Sequence, residues 1–316
     1  MEIVNSALAR AEEILRAACG DRIRTSFPLA PLTTFRIGGP AALFLEPETM
    51  PDLQAAGRAI QETGIPFAVL GKGSNVLVSD GGVPGLVLRL GRGFGWAARE
   101  GNRLSAGGAK PLPSLANVAL QHSLAGLEFG VAIPASLGGA IRMNAGAHGR
   151  SLEEVVQKVE VFGLGDGRTR VVESEDVGFR YRDTSFGDDA VVIGATVGLE
   201  PGERESIRAL MDEAREWRRR TQPLAEPNCG SVFTNPSGDH AARLVEAAGA
   251  KGMRVGGAAV STKHSNFIVA DAGARASDVL SLIRRVRDLV ADRFGVRLDL
   301  EVRLVGEFGE VQPATL

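Results

Sequence analysis

Two stretches of this sequence are dense in glycine and other small residues, and they constrain the fold more than any other feature. One is GKGSN at 71–75; the other is IPASLGGAIRMNAGAHG at 133–149. Glycine occurs 40 times in 316 residues against a single tyrosine, and it gathers where backbone must turn sharply or approach something closely. The first stretch follows an apolar run at 67–70. It precedes a second run at 76–79, and a third at 86–90 comes after GGVPG. This is strand, glycine loop, strand, with no helix between.

That order argues against a dinucleotide fingerprint, which needs a third glycine and a helix N-terminus aimed at the pyrophosphate. Position 76 is Val76, and a strand follows. No GxxxxGK[ST] occurs, so a Walker loop is excluded as well. The physical use of such a loop survives the loss of the motif. Glycines let successive amides face an anion, and Ser74 and Asn75 add polar side chains. The plain alternative is a hairpin turn. The second stretch makes another surface of small residues. It suits backbone laid against a large flat or phosphate-bearing ligand, or tight packing between elements.

The remaining pattern predicts an α+β chain of several domains, since 316 residues exceed what one core usually spans. Helices are expected over 5–18, 51–64, 111–125, 203–220, 239–248 and 278–294, the second with proline in and glycine out. Ile207, Leu210, Met211, Ala214 and Trp217 fall on one face of the fourth. Short alternating runs over 155–199 predict antiparallel sheet. Further strands are expected at 255–261 and 265–270. Residues 296–304 alternate apolar and charged in strict period two and read as the cleanest strand.

Hydrophobic content is 44% and net charge -2, so nothing favours nucleic acid or another polyanion as partner. No apolar run approaches the ~20 residues of a membrane helix, and no signal peptide is evident. Cys19 and Cys229 lack ligand spacing and are too few for a disulfide scaffold, which suits a reducing cytoplasm. Four histidines and two cysteines give no metal-binding pattern.

Several motifs, taken in order, carry a resemblance: TTFRIGGPA (33–41), LGKGSNVLVSDGG (70–82), the 133–149 segment, FRYRDTSF (179–186), QPLAEPNCGSVFTNP (222–236), KHSNFIVADAG (263–273) and LEVRLVG (300–306). Together they cover nearly the whole chain, and the sequence resembles the MurB family of flavin reductases. Its fold is the two-part FAD-binding pair of the vanillyl-alcohol-oxidase/PCMH type plus a third, α+β substrate-binding domain. The resemblance implies domains at 1–91 (plus 304–316), 92–218 and 219–303. The sole tyrosine, Tyr181, lies inside FRYRDTSF, which matches the family's short form without a tyrosine-bearing substrate loop. Ala135, Thr184 and Asp271 depart from the usual glycine, serine and asparagine.

The reaction implied is reduction of UDP-N-acetylglucosamine enolpyruvate to UDP-N-acetylmuramate, in peptidoglycan precursor synthesis. The implied cofactor is FAD held non-covalently, NADPH is the electron donor, and no obligate protein partner is evident. Hydride addition leaves negative charge beside a carboxylate. The protein then needs a charge stabiliser and a placed proton donor. By resemblance Arg182 is the first, Ser231 the second, and Glu301 a further acid/base residue. From the residues alone, Arg182 pairs with Asp183, Ser231 is a turn residue, and Glu301 pairs with Arg303. The resemblance assigns flavin contacts to Arg36, Gly71, Gly73, Ser74, Asn75, Ile133, Pro134, Ser136, Gly138, Gly139, Asn144, Gly146 and Ala147. Substrate contacts fall to Arg218, Asn235, Lys263 and His264, with Lys72 a further basic candidate. The rival readings are an oxidase of the same fold with tethered flavin, for which the glycine segments offer only His148, and a non-catalytic nucleotide-binding module.

Overall fold

A computed structural model describes residues 2–308. Residues 309–316, assigned above to the first domain's tail, lie outside the described residues.

Local signals set the helices. Helix α1 (Glu2–Cys19) buries Ala11, Leu15 and Cys19, one residue per turn. Helix α2 (Met50–Thr63) opens with a Thr49–Asp52 capping box and Pro51 in its first turn. It closes on Gly64 in the left-handed region (φ 64°), where glycine has no Cβ penalty. Helix α3 (Leu112–Gln121) stops short of the expected end. Residues Leu124–Ala125 instead pair with Glu200–Pro201 as a two-strand ribbon. Helix α4 (Leu137–Arg142) lies within the small-residue segment, where no regular element was expected, and Ser136 caps it by accepting from Gly139 N–H. Leu137, Ala140 and Ile141, flanking the glycine pair, supply its buried face.

Helices α5 (Arg204–Thr221), α6 (Ala241–Ala247) and α7 (Ala276–Phe294) follow. On α5 only part of the expected face is buried. Ile207, Met211 and Ala214 are inside, whereas Leu210 and Trp217 remain 53% and 40% exposed. A 3.6-residue period spreads five apolar positions over a wider arc than one packing partner covers.

A sheet of four strands runs in the order Arg24–Pro28, Pro40–Leu45, Val83–Leu88, Phe67–Val69, its last two strands parallel. The chain forms two compact units. The first comprises 1–25, 43–72 and 85–218; the second comprises 26–42, 73–84 and 219–316.

The first unit has two apolar cores. One gathers Leu15, Leu53, Ala56, Leu86 and Phe162 around α1 and α2. The other lies on an antiparallel five-strand sheet ordered Thr169–Glu173, Val156–Gly163, Ala190–Gly198, Arg103–Gly107, Ala97–Glu100. Its central strand is buried on both faces from Val191 to Val197, so it reads as a continuous apolar run. The antiparallel expectation for 155–199 holds.

The second unit holds an antiparallel sheet ordered Asn228–Ser231, Phe267–Ala270, Ala258–Val260, Arg254–Val255, against which α7 buries Val279, Ile283 and Val286. The run expected as the cleanest strand is mostly not one. Only Arg303–Val305 forms a ladder, parallel to Val76–Val78. Residues upstream keep the alternation, with Leu298 and Val302 buried and Arg297 and Asp299 exposed, but they make single bonds instead of a ladder. Period-two burial reports one covered face; it does not report a paired backbone.

Candidate functional site

The loop at 71–75 has the property its glycines suggested. No N–H of Gly71, Lys72, Gly73, Ser74 or Asn75 donates a hydrogen bond to another described residue. Buried or half-buried amides normally find partners, and a run of free ones is the geometry that receives an anion. A flavin dinucleotide carries a pyrophosphate, so this donor set fits the group.

Clearance separates the glycines. A side chain at Gly73 would collide with the carbonyl of Leu32, and one at Gly146 with that of Arg150. At Gly138 a Cβ would stand 2.9 Å from Val192 O. Packing within the chain therefore accounts for these three. At Gly139, outside its own helix, Ser136 Oγ at 3.3 Å is the one neighbour within 4 Å among the described residues, so no backbone from another element presses on that position.

The 133–149 segment is wired to the 179–187 segment, both in the first unit. Arg180 and Asp183 exchange backbone hydrogen bonds of 3.0 and 3.1 Å around a two-residue turn. Its tip holds Tyr181 and Arg182, with Arg182 left-handed at φ 57°. The Arg182 guanidinium lies 4.9 Å from the Tyr181 ring and donates to Gly146 O at 3.1 Å. Arg142 Nη1 donates to Phe186 O (3.1 Å) and Gly187 O (2.6 Å), and Thr184 Oγ1 donates to Arg142 O at 3.2 Å. Threonine here performs the hydroxyl's task. His148 sets its ring edge-on to Trp217, centroids 5.1 Å apart.

In the second unit Ser231 ends the strand Asn228–Ser231, after Gly230 at φ 79°. The next two residues are clamped by Asn266 of the KHSNF motif. Val232 N–H donates to Asn266 O (2.9 Å), Phe233 N–H to Oδ1 (2.9 Å), and Nδ2 to Phe233 O (2.8 Å). From the other side Glu301 N–H donates to Val232 O at 2.8 Å, and Asn75 Nδ2 donates to Glu301 O at 2.9 Å. Ser231 and Glu301 are thereby brought together, and the half-buried Ser231 hydroxyl makes no hydrogen bond among the described residues. Cys229, nearby, is buried; desolvation first, and then the Glu301 charge, push its thiol pKa up, so it stays protonated and faces the core.

The other candidates divide. Arg36 is exposed and left-handed (φ 59°). Burial pushes the Arg218 pKa down. Lys263 Nζ donates to Arg219 O at 2.7 Å. His264, its pKa lowered chiefly by burial, accepts from Asn266 N–H at Nδ1 and stacks edge-on to Phe267. Asn235 Oδ1 accepts from Ala241 N–H at the start of α6.

Sequence reasoning missed Asp80, whose carboxylate accepts from Ala276 and Ser277 N–H (2.7 and 3.1 Å) and so caps α7 from afar. Burial opposes its ionisation, but these bonds and Arg275 outweigh it and lower its pKa. Asp before two glycines signals only a turn. Arg142 and Glu153 were also missed, since their partners are visible only in three dimensions.

Similarity to known proteins agrees with this geometry. Residues 41–173 match the FAD binding domain family, and residues 222–305 match the family described as UDP-N-acetylenolpyruvoylglucosamine reductase, C-terminal domain. A reductase of that name from an Anaeromyxobacter species is 46% identical over 94% of this chain and 92% of its own. One from Halalkalibacterium halodurans is 40% identical over 93% and 98%. The crystal structure of the Thermus caldophilus reductase (MurB) superposes with a TM-score of 0.79 at 37% identity, covering 90% of this chain and 99% of that one. The fold is accordingly α+β, with an FAD binding domain and the architecture of that reductase. With amides free for a pyrophosphate at 71–75, a small-residue segment at 133–149, and relatives matching over nearly the full length, this chain belongs to the UDP-N-acetylenolpyruvoylglucosamine reductase (MurB) family.

Proposed function

We propose that Arg182, Ser231 and Glu301 carry the chemistry by which this chain, as a member of its family, reduces UDP-N-acetylglucosamine enolpyruvate to UDP-N-acetylmuramate with NADPH as electron donor. FAD, when bound, supplies the transfer of a hydride from the nicotinamide to the vinyl carbon of the substrate. The amides of 71–75 would hold its pyrophosphate, and the open side of Gly139 would face it.

The chain's own groups manage the charge that results. Arg182 offers a planar, permanently charged fork to the substrate carboxylate, into which the new negative charge delocalises. Ser231 delivers a proton to the adjacent carbon. A hydroxyl is a weak acid in water, so it serves only beside a strongly basic carbanion from which water is excluded. Glu301 steadies that proton's position. The observation that carries this reading is the Ser231–Glu301 pairing: two residues far apart in sequence joined through the Val232–Glu301 backbone bond, with the serine hydroxyl uncommitted. Arg218, Asn235, Lys263 and His264 are proposed for the substrate. The proposed division is a flavin-binding pair at 1–91 (plus 304–316) and 92–218, with the substrate domain at 219–303. A core lying wholly within 92–218 supports the second lobe, while the core around α1 and α2 also takes in Phe162, Leu164, Val191 and Ile193 and so joins the two lobes.

No helix among the described residues is long and apolar enough to cross a membrane. A cytoplasmic location is inferred from the two free, buried cysteines, Cys19 and Cys229.

Ser231→Ala tests the assignment by stopped-flow absorbance of the flavin. Bleaching by NADPH needs no proton donor to carbon and should stay near normal. Reoxidation by the enolpyruvyl substrate should slow by about 100- to 10,000-fold, and Ser231→Cys should recover part of the loss. Equal slowing of both half-reactions would make Ser231 a residue of the fold or flavin site.

A further inference from the structure

Asn144 stands in the small-residue segment, and the resemblance counts it among flavin contacts. Its side chain is committed elsewhere. The residue is 2% exposed. Nδ2 donates to Glu153 Oε2 at 2.9 Å and to Arg180 O at 3.0 Å, while Oδ1 accepts from Glu153 N–H at 3.1 Å. A primary amide has two N–H donors, so none remains for a ligand. The network also fixes which way the amide points, because a backbone N–H must meet oxygen and a backbone carbonyl must meet nitrogen. The backbone is left-handed at φ 37°, which asparagine tolerates better than most residues.

What Asn144 grips is the turn that carries Arg182. The carbonyl of Arg180 accepts from Asp183 N–H and from Asn144 Nδ2, which fills both its lone pairs. Two positions on, Arg182 adopts φ 57°, a conformation a non-glycine residue keeps only when its surroundings over-determine it. Asn144 supplies that restraint from a buried position at the root of the turn. The Arg182–Gly146 bond closes the same ring of contacts at its tip.

We propose that Asn144 is a positioning residue for the reduction: it holds the Tyr181–Arg182 turn against the 133–149 segment and leaves flavin binding to that segment's backbone. This rests on the assignment of Arg182 to the substrate carboxylate. The guanidinium must meet a carboxylate in a narrow range of positions, and a shift of about 1 Å can cost 100-fold in rate.

The test is Asn144→Asp combined with Glu153→Gln. The pair keeps shape and restores the bond between 144 and 153, with the new amide donating to the new carboxylate, but it leaves two oxygens facing each other at Arg180 O. Asn144→Gly, which accepts the left-handed backbone and removes the grip, serves beside it if the double variant fails to fold. The expected result is normal flavin content, near-normal bleaching by NADPH, and substrate-driven reoxidation slowed roughly 10- to 100-fold. Hydrogen exchange over 180–183 should quicken, and adding the change to Arg182→Lys should slow that step no more than about twofold further. Loss of flavin from a folded variant, equal slowing of both half-reactions, or full additivity with Arg182→Lys overturns the proposal. An unslowed Asn144 variant beside a slowed Arg182→Lys sinks the proposal alone. An unslowed Arg182→Lys sinks the reading of Arg182 and the proposal with it.

Discussion

Asp52 is where a small change should be felt most clearly in the first unit. It is the N3 residue of the α2 capping box and is 3% exposed. Its carboxylate accepts from Arg22 Nη1 and Nη2 (2.5 and 2.7 Å), from the N–H groups of Glu48 and Thr49 (2.9 and 3.0 Å), and from the Cys19 thiol (3.7 Å). Burial opposes its ionisation, but Arg22 and the backbone donors outweigh it and lower the pKa from 3.8 to about 2. At ~1.4 kcal/mol per pKa unit, that depression stabilises the fold by about 2 kcal/mol at neutral pH.

Asp52→Asn removes this term, and its NH2 must face at least one donor. Arg22 is 43% exposed and can return to water, which keeps the loss below the 3–5 kcal/mol of a fully buried broken pair. A loss of about 2–3 kcal/mol is expected, read as a lower urea midpoint by circular dichroism. Because the folded pKa lies below the unfolded one, the contribution is complete above pH 3.8 and disappears as pH falls through 2. The gap between wild type and variant should be flat from about pH 5 to 8 and roughly halved near pH 3. A gap under about 0.5 kcal/mol at pH 7, or one that stays constant into acid, refutes the reasoning.

Three further outcomes follow from the same contacts. Gly139→Val should fold but lose flavin, whereas Gly138→Val should lose stability through Val192 O; flavin absorbance and thermal melting of each variant decide it, and a flavin-loaded Gly139→Val ends the clearance argument. Acid precipitation should release all the yellow colour to the supernatant, and colour kept in the pellet would favour a tethered flavin. Arg287 is 6% exposed, its Nε lacks a hydrogen-bond partner among the described residues, and burial followed by Arg297 pushes its pKa down. Arg287→Met should therefore leave the urea midpoint unchanged or raised, and a loss above about 2 kcal/mol would mean the guanidinium holds the fold.

Local chemistry made much of this protein legible before any coordinates. Pro51 and Gly64 bounded α2, and Gly295 (φ 66°) ended α7, because such punctuation is decided within a turn of the chain. Strand after GKGSN excluded the Rossmann reading, and Val76–Val78 is that strand. The ordered motifs alone carried the family and the flavin.

Other matters belonged to the tertiary structure. Gly138 and Gly139 look alike in sequence, yet one is pressed by Val192 O and the other is open. Asn144 sits among flavin-site residues but bonds to Glu153 and Arg180. Ser231 and Glu301 became neighbours through Val232, and the alternating 296–302 run never became a ladder. Clearance and hydrogen-bond pairing are properties of two residues at once. When the second lies tens of positions away, only the folded chain says which atom stands opposite.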